Sequence, residues 1–263
     1  MFPNLVTLDS ITDATAQMAG QVGISGSHGG HLAAAIASRS GLRAVVLNDA
    51  GIGLSGAGIA GLKALDTVGM AGVSVTASSA EIGSATDAME NGIVGFVNET
   101  ARVLGMVAGL ALHEQITALL QAPPPSGILP KVVEARQCID IAGKTVLCVD
   151  SASLITPADA GRLIVTGSHG GLIGGDPARA CKADAGLVAY NDAGGGKNDI
   201  GFSRLPALQQ RGIAAVTLDH ETCRIGDAVS GLMSGVISRC NAPARALGLD
   251  IGQNVKNILG RLG

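Results

Sequence analysis

The pentapeptide GSHGG occurs twice, at Gly26–Gly30 and at Gly167–Gly171, 141 residues apart. A second word, NDAG, recurs at Asn48–Gly51 and Asn191–Gly194, 143 residues apart. Around them lie further matches at the same two offsets. Asp9-Ser10 returns as Asp150-Ser151, Gly20 as Gly161, Ile82-Gly83 as Ile225-Gly226, Asn98 as Asn241 and Ala101-Arg102 as Ala244-Arg245. Such agreement at fixed separation marks an internal duplication, and each copy must build its own supersecondary unit. The change of offset places a two-residue slip near Gly174–Pro177.

Each half reads as strands alternating with helices. An extended LVTL or TVLCV leads in. A strand follows (QVGIS or RLIVT), then the glycine loop, a helical segment and a second strand (AVVLND or LVAYND). A second helix carries Ile59, Leu62 and Leu65, matched by Phe202, Leu205 and Leu208, and a third strand follows (VSVT or AVTL). Ile93, Val97, Ala101 and Leu104, matched by Val236, Cys240, Ala244 and Leu247, have the spacing of one buried helix face. Tail helices are expected near Met106–Leu120 and Leu249–Leu262. Short apolar strands between helices imply βαβ units with right-handed crossovers. The expected fold is α/β: two tandem pseudosymmetric βαβαβα repeats, each with a mainly parallel sheet in an α/β/α layering. The expected division is residues 1–121, a proline-rich linker at 122–130, and residues 131–263. The second half adds a hairpin, Val132–Ile141 with Thr145–Asp150, turning near Ala142-Gly143-Lys144. Cys138 and Cys148 are symmetric about Gly143, a spacing that would set them opposite each other as two buried thiols.

Composition removes several function classes. Eighteen Lys and Arg against 21 Asp and Glu give a net charge of −3, and aromatics are 2% of the chain. Neither a cationic footprint nor a base-stacking surface is present, so no nucleic-acid partner is expected. Hydrophobic content of 47% with few charges does not describe a disordered chain. Asn98, Glu99 and Arg102 interrupt the longest apolar stretch, Ile93–Leu112, so no membrane span is expected. The start, MFPNLVTLDS, lacks the basic flank and apolar core of a secretion signal, and five scattered Cys without a CxxC suit a reducing cytoplasm. Abundant small apolar residues and sparse charge favour a homo-oligomer.

The polar motifs all follow strands. In an open parallel sheet ligands bind beyond the carboxyl ends of the strands, so the three loops of each half should share one rim. Glycines of GSHGG can turn N–H groups toward a carboxylate, phosphate or oxyanion. Ser27, His28, Gly29 and Gly30 in the first half, and Ser168, Gly170 and Gly171 in the second, are therefore candidate binding residues. The same residues would also serve a tight strand-to-helix turn. Asn48, Asp49 and Asn191 of NDAG are binding candidates, and equally natural turn and cap residues. Lys197, where the first half has Leu54, offers a cation to an anionic ligand.

The third loop separates the halves. The first has Thr76-Ala77-Ser78-Ser79-Ala80, the second Asp219-His220-Glu221-Thr222-Cys223. An acid, an imidazole and a thiol on one rim only point to one chemical centre, in the second half. His220 and His169 are candidate acid–base groups. Asp192 or Asp219 would orient an imidazole. Cys223 would be a nucleophile if a helix N-terminus or cation favoured its thiolate, and a small buried residue otherwise, since Ala80 holds its matching position.

Two resemblances follow. Asn48-Asp49-Ala50-Gly51 with Gly58-Ile59 resembles the strand–NDDG–GI–helix opening of the SurE-type nucleotidases, which are metal-dependent phosphatases. It covers about a dozen residues. The motif's second acid is Ala50 here and Ala193 in the second half, so the activity is not carried over. Two α/β halves with Thr222-Cys223 after a strand are similar in architecture to the aspartate/glutamate racemase superfamily, but Ala80 stands where a paired cysteine would be. The residues together suggest an enzyme on a small anionic or polar metabolite, bearing carboxylate or phosphate. Hydrolysis is favoured over lyase or isomerase chemistry. No cofactor is implied, with a divalent metal as the alternative. A non-catalytic ligand-binding protein and a structural homo-oligomer are the competing readings.

Overall fold

The apolar runs become strands whose residues alternate between two buried faces. The computed structural model describes residues 3–260. The chain divides into two units, one of Met1–Ile52, Gly56–Val133 and Gly196–Asn198, the other of Gly53–Ser55, Glu134–Gly195 and Asp199–Gly263. Among the described residues no helix is long and apolar enough to cross a membrane.

The first unit runs β1 (Leu5–Leu8), β2 (Val22–His28), α1 (His31–Arg39), β3 (Ala44–Asn48), α2 (Ala60–Ala64), β4 (Ala71–Val75), α3 (Ala85–Asn91), β5 (Val94–Val97), α4 (Glu99–Val103) and α5 (Leu112–Leu119). Its five strands lie in the order β1-β2-β3-β4-β5. β1 to β4 are parallel, and β5 closes the edge antiparallel to β4. Side chains alternate across a strand. Along β3, Val45 and Leu47 join Leu42, Leu62 and Met70 in one apolar layer, while Ala44 and Val46 join Ile24, Leu112 and Ile116 in the other. Both faces are covered, so β3 and β4 are buried at every residue.

The second unit runs β6 (Arg136–Ile141), β7 (Lys144–Val149), β8 (Leu163–His169), β9 (Leu187–Asn191), α6 (Arg204–Gln210), β10 (Ala214–Leu218), α7 (Ala228–Ser234), β11 (Ile237–Cys240), α8 (Ala242–Ala246) and α9 (Val255–Leu259). Its sheet order is β11-β10-β9-β8-β7-β6. β7 to β10 are parallel, with β6 and β11 antiparallel at the edges. Val188 and Tyr190 of β9 face one apolar layer and Leu187 and Ala189 the other. The chain is thus an α/β protein with two mainly parallel mixed sheets.

Four expectations need correction. The segments with helix-like spacing are not single helices. Residues 94–97 and 237–240 are edge strands, and α4 and α8 begin only after Asn98 and Asn241. These two asparagines explain the break. The Asn98 side chain accepts from the N–H of Gly72 and Ala101 and donates to the carbonyls of Met70 and Leu62. It caps α4 while filling gaps in the ladder beside β4. Asn241 does the same with Ala215, Ala244, Ile213 and Leu205.

The tail helices are shorter than their apolar pattern. α5 is confined to Leu112–Leu119 and α9 to Val255–Leu259, and the expected end at Leu262 lies outside the described residues. The connection after the second GSHGG is not an α-helix but two 3-10 turns, Ile173–Gly175 and Pro177–Arg179. Buried Arg204 holds it, donating to the carbonyls of Gly171, Arg179 and Ala180 and lying over the Tyr190 ring. At the matching position of the first half stands Gly61, whose missing Cβ would lie 2.2 Å from the Gly30 carbonyl. One unit packs two helices through a glycine where the other fills the space with a guanidinium.

Finally, Cys138 and Cys148 are not opposed. The register pairs Cys148 with Gln137 and Cys138 with Leu147, so the thiols fall on opposite faces, one exposed and one buried. The hairpin turns at Ala142-Gly143, with φ of 49° and 82°.

Two measurements test this account. Asn98→Ala leaves four backbone groups without their partner, and urea unfolding should show a loss of about 3–5 kcal/mol. Ala142→Asn places a residue suited to left-handed backbone in the exposed hairpin turn and should raise stability by about 0.5–1 kcal/mol.

Candidate functional site

Parallel pairing brings the three loops of each unit to one edge. In the second unit His169 pairs with Asn191 and Asn191 with Leu218. In the first, His28 pairs with Asn48 and Asn48 with Val75. GSHGG, NDAG and the third loop therefore leave adjacent strands at the same end.

The glycine loops are occupied by backbone. A Cβ on Gly26 would lie 2.4 Å from the Ser84 nitrogen, and one on Gly167 would lie 2.5 Å from the Asp150 carbonyl and 2.6 Å from the Asp227 nitrogen. The chain entering α3 passes directly over Gly26, with the Gly83 N–H bonded to its carbonyl. The chain entering α7 passes over Gly167 through the Gly226 N–H. The next glycines serve a second approach: Gly29 faces the Gly58 carbonyl and Gly170 the Gly201 carbonyl. Three of the N–H groups expected to hold an anion have partners. Gly29 and Gly170 donate to the carbonyls of Asn48 and Asn191, and Gly30 donates to His28 Nδ1. Ser27 and Ser168 accept from the N–H of Ile11 and Ala152, so they fasten the preceding turns rather than cap a helix. The N-cap of α1 is Gly30 itself. Burial pushes the pKa of the half-buried His28 down to about 4, so it stays neutral. His169 ends β8 as a buried residue.

NDAG laces one loop to the next. Asn48 accepts from Ala50 N–H and donates to the Ala80 carbonyl; Asn191 accepts from Ala193 N–H and donates to the Cys223 carbonyl. The residues after the acid form a run of left-handed backbone that the sequence did not announce. It comprises Ala50, Gly51, Ile52 and Gly53 in one loop and Ala193, Gly194, Gly195 and Gly196 in the other. The doubled glycines were its only signal. This turn directs N–H groups at the aspartate. Asp49 Oδ1 accepts from Gly51 and Ala77, and Asp192 Oδ1 accepts from Gly194 and His220.

Here the two units differ. His220 stands at the position matching Ala77, and its ring Nδ1 lies 3.0 Å from Asp192 Oδ1. Nδ1 is also 3.3 Å from Asp219 Oδ1. A carboxylate only accepts, so Nδ1 carries the proton and Nε2 is the atom left for chemistry. Asp192 is buried, and the His220 side chain keeps 21% exposure. The hydrogen bond to Asp192 raises the His220 pKa above its ordinary value. Burial opposes the shift, and the charges of Asp192, Asp219 and Glu221 reinforce it. Asp192, Asp219 and His220 each offer a ligand atom within 4.8 Å of the others, so these three would be the ligands of a cation. The Nδ1–carboxylate distances are those of hydrogen bonds rather than of metal bonds near ~2.1 Å.

Cys223 sits apart from this chemistry. Its side chain belongs to the apolar layer with Leu218 and Leu232, its thiol donates to the Asp219 carbonyl, and burial pushes the thiol up to about 12. It is a packing residue, not a thiolate nucleophile. Lys197 forms an ion pair of 2.6 Å with Asp87 inside the first unit, which answers its charge. No family model, curated protein or solved structure matches the chain.

Because His220 takes its proton more readily folded than unfolded, the pair stabilises the fold below the unfolded value near ~6.5. That contribution is lost as pH rises through the raised folded value. Proton NMR titration should place His220 above a free histidine, and Asp192→Asn should bring it down. An unchanged midpoint in Asp192→Asn would sever the link.

Proposed function

We propose that the chain is an enzyme using His220, held by Asp192, as an acid–base group on a small polar metabolite, with hydrolysis as the reaction class. One observation carries this reading. The two NDAG turns use the same carboxylate to bind the same backbone N–H, and only the second adds an imidazole to it. A buried carboxylate fixing one ring nitrogen, with the ring itself partly open, is how an acid–base histidine is held. The absence of a thiolate role for Cys223 favours water as the nucleophile. Asp219 acts beside the pair as a second negative charge. With the N–H groups of Gly29, Gly30 and Gly170 engaged, recognition falls to the second and third loops of the second unit, Asn191 to Gly195 and Asp219 to Thr222, rather than to GSHGG. We take the proton, not a cation, as the group shared between Asp192 and His220, because their spacing is that of a hydrogen bond.

In the same reading the two units are copies of one ancestral βα unit, divided near residues 122–130. The second copy has gained an imidazole, His220, where the first has Ala77. The chain works as a homo-oligomer in the cytoplasm, without nucleic acid or membrane.

The test is a panel of small esters, amides and phosphoesters with the full chain. His220→Ala should lower kcat by about 10²–10⁴ with little change in thermal midpoint. Asp192→Asn should lower kcat and move the acidic limb of the pH profile downward. Full activity in His220→Ala, or no turnover across the panel with saturable binding of a metabolite, would replace this reading with that of a non-catalytic binding protein.

A further inference from the structure

The second unit contains a cavity of about 460 Å³ at its β11 edge, lined by Phe202, Leu205, Gln209, Ser238, Arg239 and Arg245 among others. That volume falls within the range of small-molecule sites, ~300–1,000 Å³. It contains none of Asp192, Asp219 or His220. Its apolar lining comes from Phe202, Leu205 and Ile251, the last of them exposed, and its cationic groups are two guanidiniums.

Three features distinguish it from a chance pair of surface arginines. First, Arg239 is held in place. Its guanidinium lies 3.8 Å from the Phe202 ring centre, and one edge is bonded to Asp199 at 3.0 Å. Stacking and a single carboxylate fix the plane and leave further N–H groups of the fork. Second, the Arg245 guanidinium takes part in no ion pair or hydrogen bond among the described residues, its backbone alone being bonded within α8 and to Gly248. Third, the matching place in the first unit is neutralised. At the offset of 143 residues, Arg239, Gln209, Ala242 and Arg245 correspond to Phe96, Asp66, Glu99 and Arg102. There Glu99 pairs with Arg102 at 2.6 Å, and Asp66 accepts from the N–H of Glu99 and Thr100. The second unit has lost both carboxylates and gained an arginine. Asp250, whose charge reaches Cys240, is the other acid nearby.

We propose that this cavity binds a small phosphate-bearing molecule, its phosphoryl oxygens taken by Arg239 and Arg245 and its organic part lying on Phe202, Leu205 and Ile251. Two guanidinium forks suit a divalent tetrahedral anion, and each makes charge-assisted bonds to it. Gln209 is committed in part, since its side-chain oxygen accepts from the Ala242 N–H. Its amide N–H and the Ser238 hydroxyl, which also shares a hydrogen bond with Thr217, are neutral polar groups of the wall, while the Asn241 amide is committed to backbone.

Isothermal titration of the full chain at low ionic strength, with inorganic phosphate and with phenyl phosphate, tests this. Both should bind saturably, phenyl phosphate more tightly because of the apolar lining. Arg239→Gln and Arg245→Gln should each weaken phenyl phosphate at least tenfold, and Arg245→Lys less. Arg102→Gln, at the neutralised counterpart, should leave binding unchanged. Thermal midpoints of all four variants within a few degrees of the parent show that the fold is retained. Should Arg245→Gln unfold the chain, backbone amide shifts at Ser238–Asn241 on adding phosphate to the parent decide the question. No saturable binding, equal weakening by Arg102→Gln, or shifts confined to other segments would overturn the assignment.

Discussion

A parallel sheet whose strands follow in sequence must be covered on its second face by chain that comes back over it. Right-handed crossovers between successive neighbours put the connecting helices on one side. In the first unit α1 and α2 supply that layer, with Ala34, Ala37 and Leu62. The opposite layer, with Ala85, Ala88, Leu112 and Ile116, belongs to α3 and α5. After β4 the chain therefore has to return across the carboxyl ends of the strands, and it does so over Gly26. The second unit repeats the passage over Gly167. Any side chain there would collide with backbone 2.4–2.6 Å away, so glycine is obligatory at this step. Asp9 and Asp150 fasten the far side by accepting from the N–H of Ala85 and Ala228, the first residues of α3 and α7.

This crossing decides where chemistry can be placed. The first loop lies under the returning chain, and its N–H groups close the structure. The second and third loops remain, joined to each other by the asparagine and aspartate of NDAG. A carboxylate already held by two backbone N–H groups is a ready partner for one more donor. In the first unit the third-loop residue is Ala77, and the carboxylate serves structure alone. Substituting an imidazole at that position converts the same carboxylate into an orienting group without moving any backbone. The electrostatic consequence follows from burial: a carboxylate shielded from water attracts the imidazolium more strongly than an exposed one.

Much of the framework was legible from residue patterns. The strands β2, β3 and β4 and their counterparts β8, β9 and β10 read directly, because strands buried on both faces are unbroken apolar runs. The hairpin read from the glycine at its turn. What escaped was whatever depends on partners distant in sequence. The run at 93–104 has helical spacing, yet Gly92 and Asn98 bound a four-residue edge strand, and only the carbonyls Asn98 meets reveal why it stops there. The GSHGG glycines suggested a ligand because the crossing chain, more than fifty residues later, was invisible to local reading. At the site, the asymmetry of the third loop pointed to Asp219 and His220. The choice of Asp192 as the orienting acid, the engagement of Lys197 by Asp87 and the enclosure of Cys223 are all decided by tertiary neighbours. Arg204 gave no signal, because a buried guanidinium bound only to carbonyls resembles any surface arginine in sequence.

The left-handed turns after Asp49 and Asp192 show how the scaffold tolerates its own cost. Ala50, Ile52 and Ala193 hold a backbone conformation that costs an L-residue roughly 1–2 kcal/mol each. Hydrogen bonds to a charged acceptor are worth about 1.5–3 kcal/mol apiece, and each aspartate collects its own from the turn and the third loop. The strain and the carboxylate are therefore coupled. The turn keeps its shape because the charge is there, and the charge is aimed because the turn keeps its shape. In the second unit this leaves Asp192 oriented by backbone before the His220 ring is added, so the imidazole docks on a group that needs no reorganisation. The same coupling makes Asp192 at once a folding residue and a positioning residue. Its two roles separate only through the protonation of His220, which the backbone hydrogen bonds do not sense.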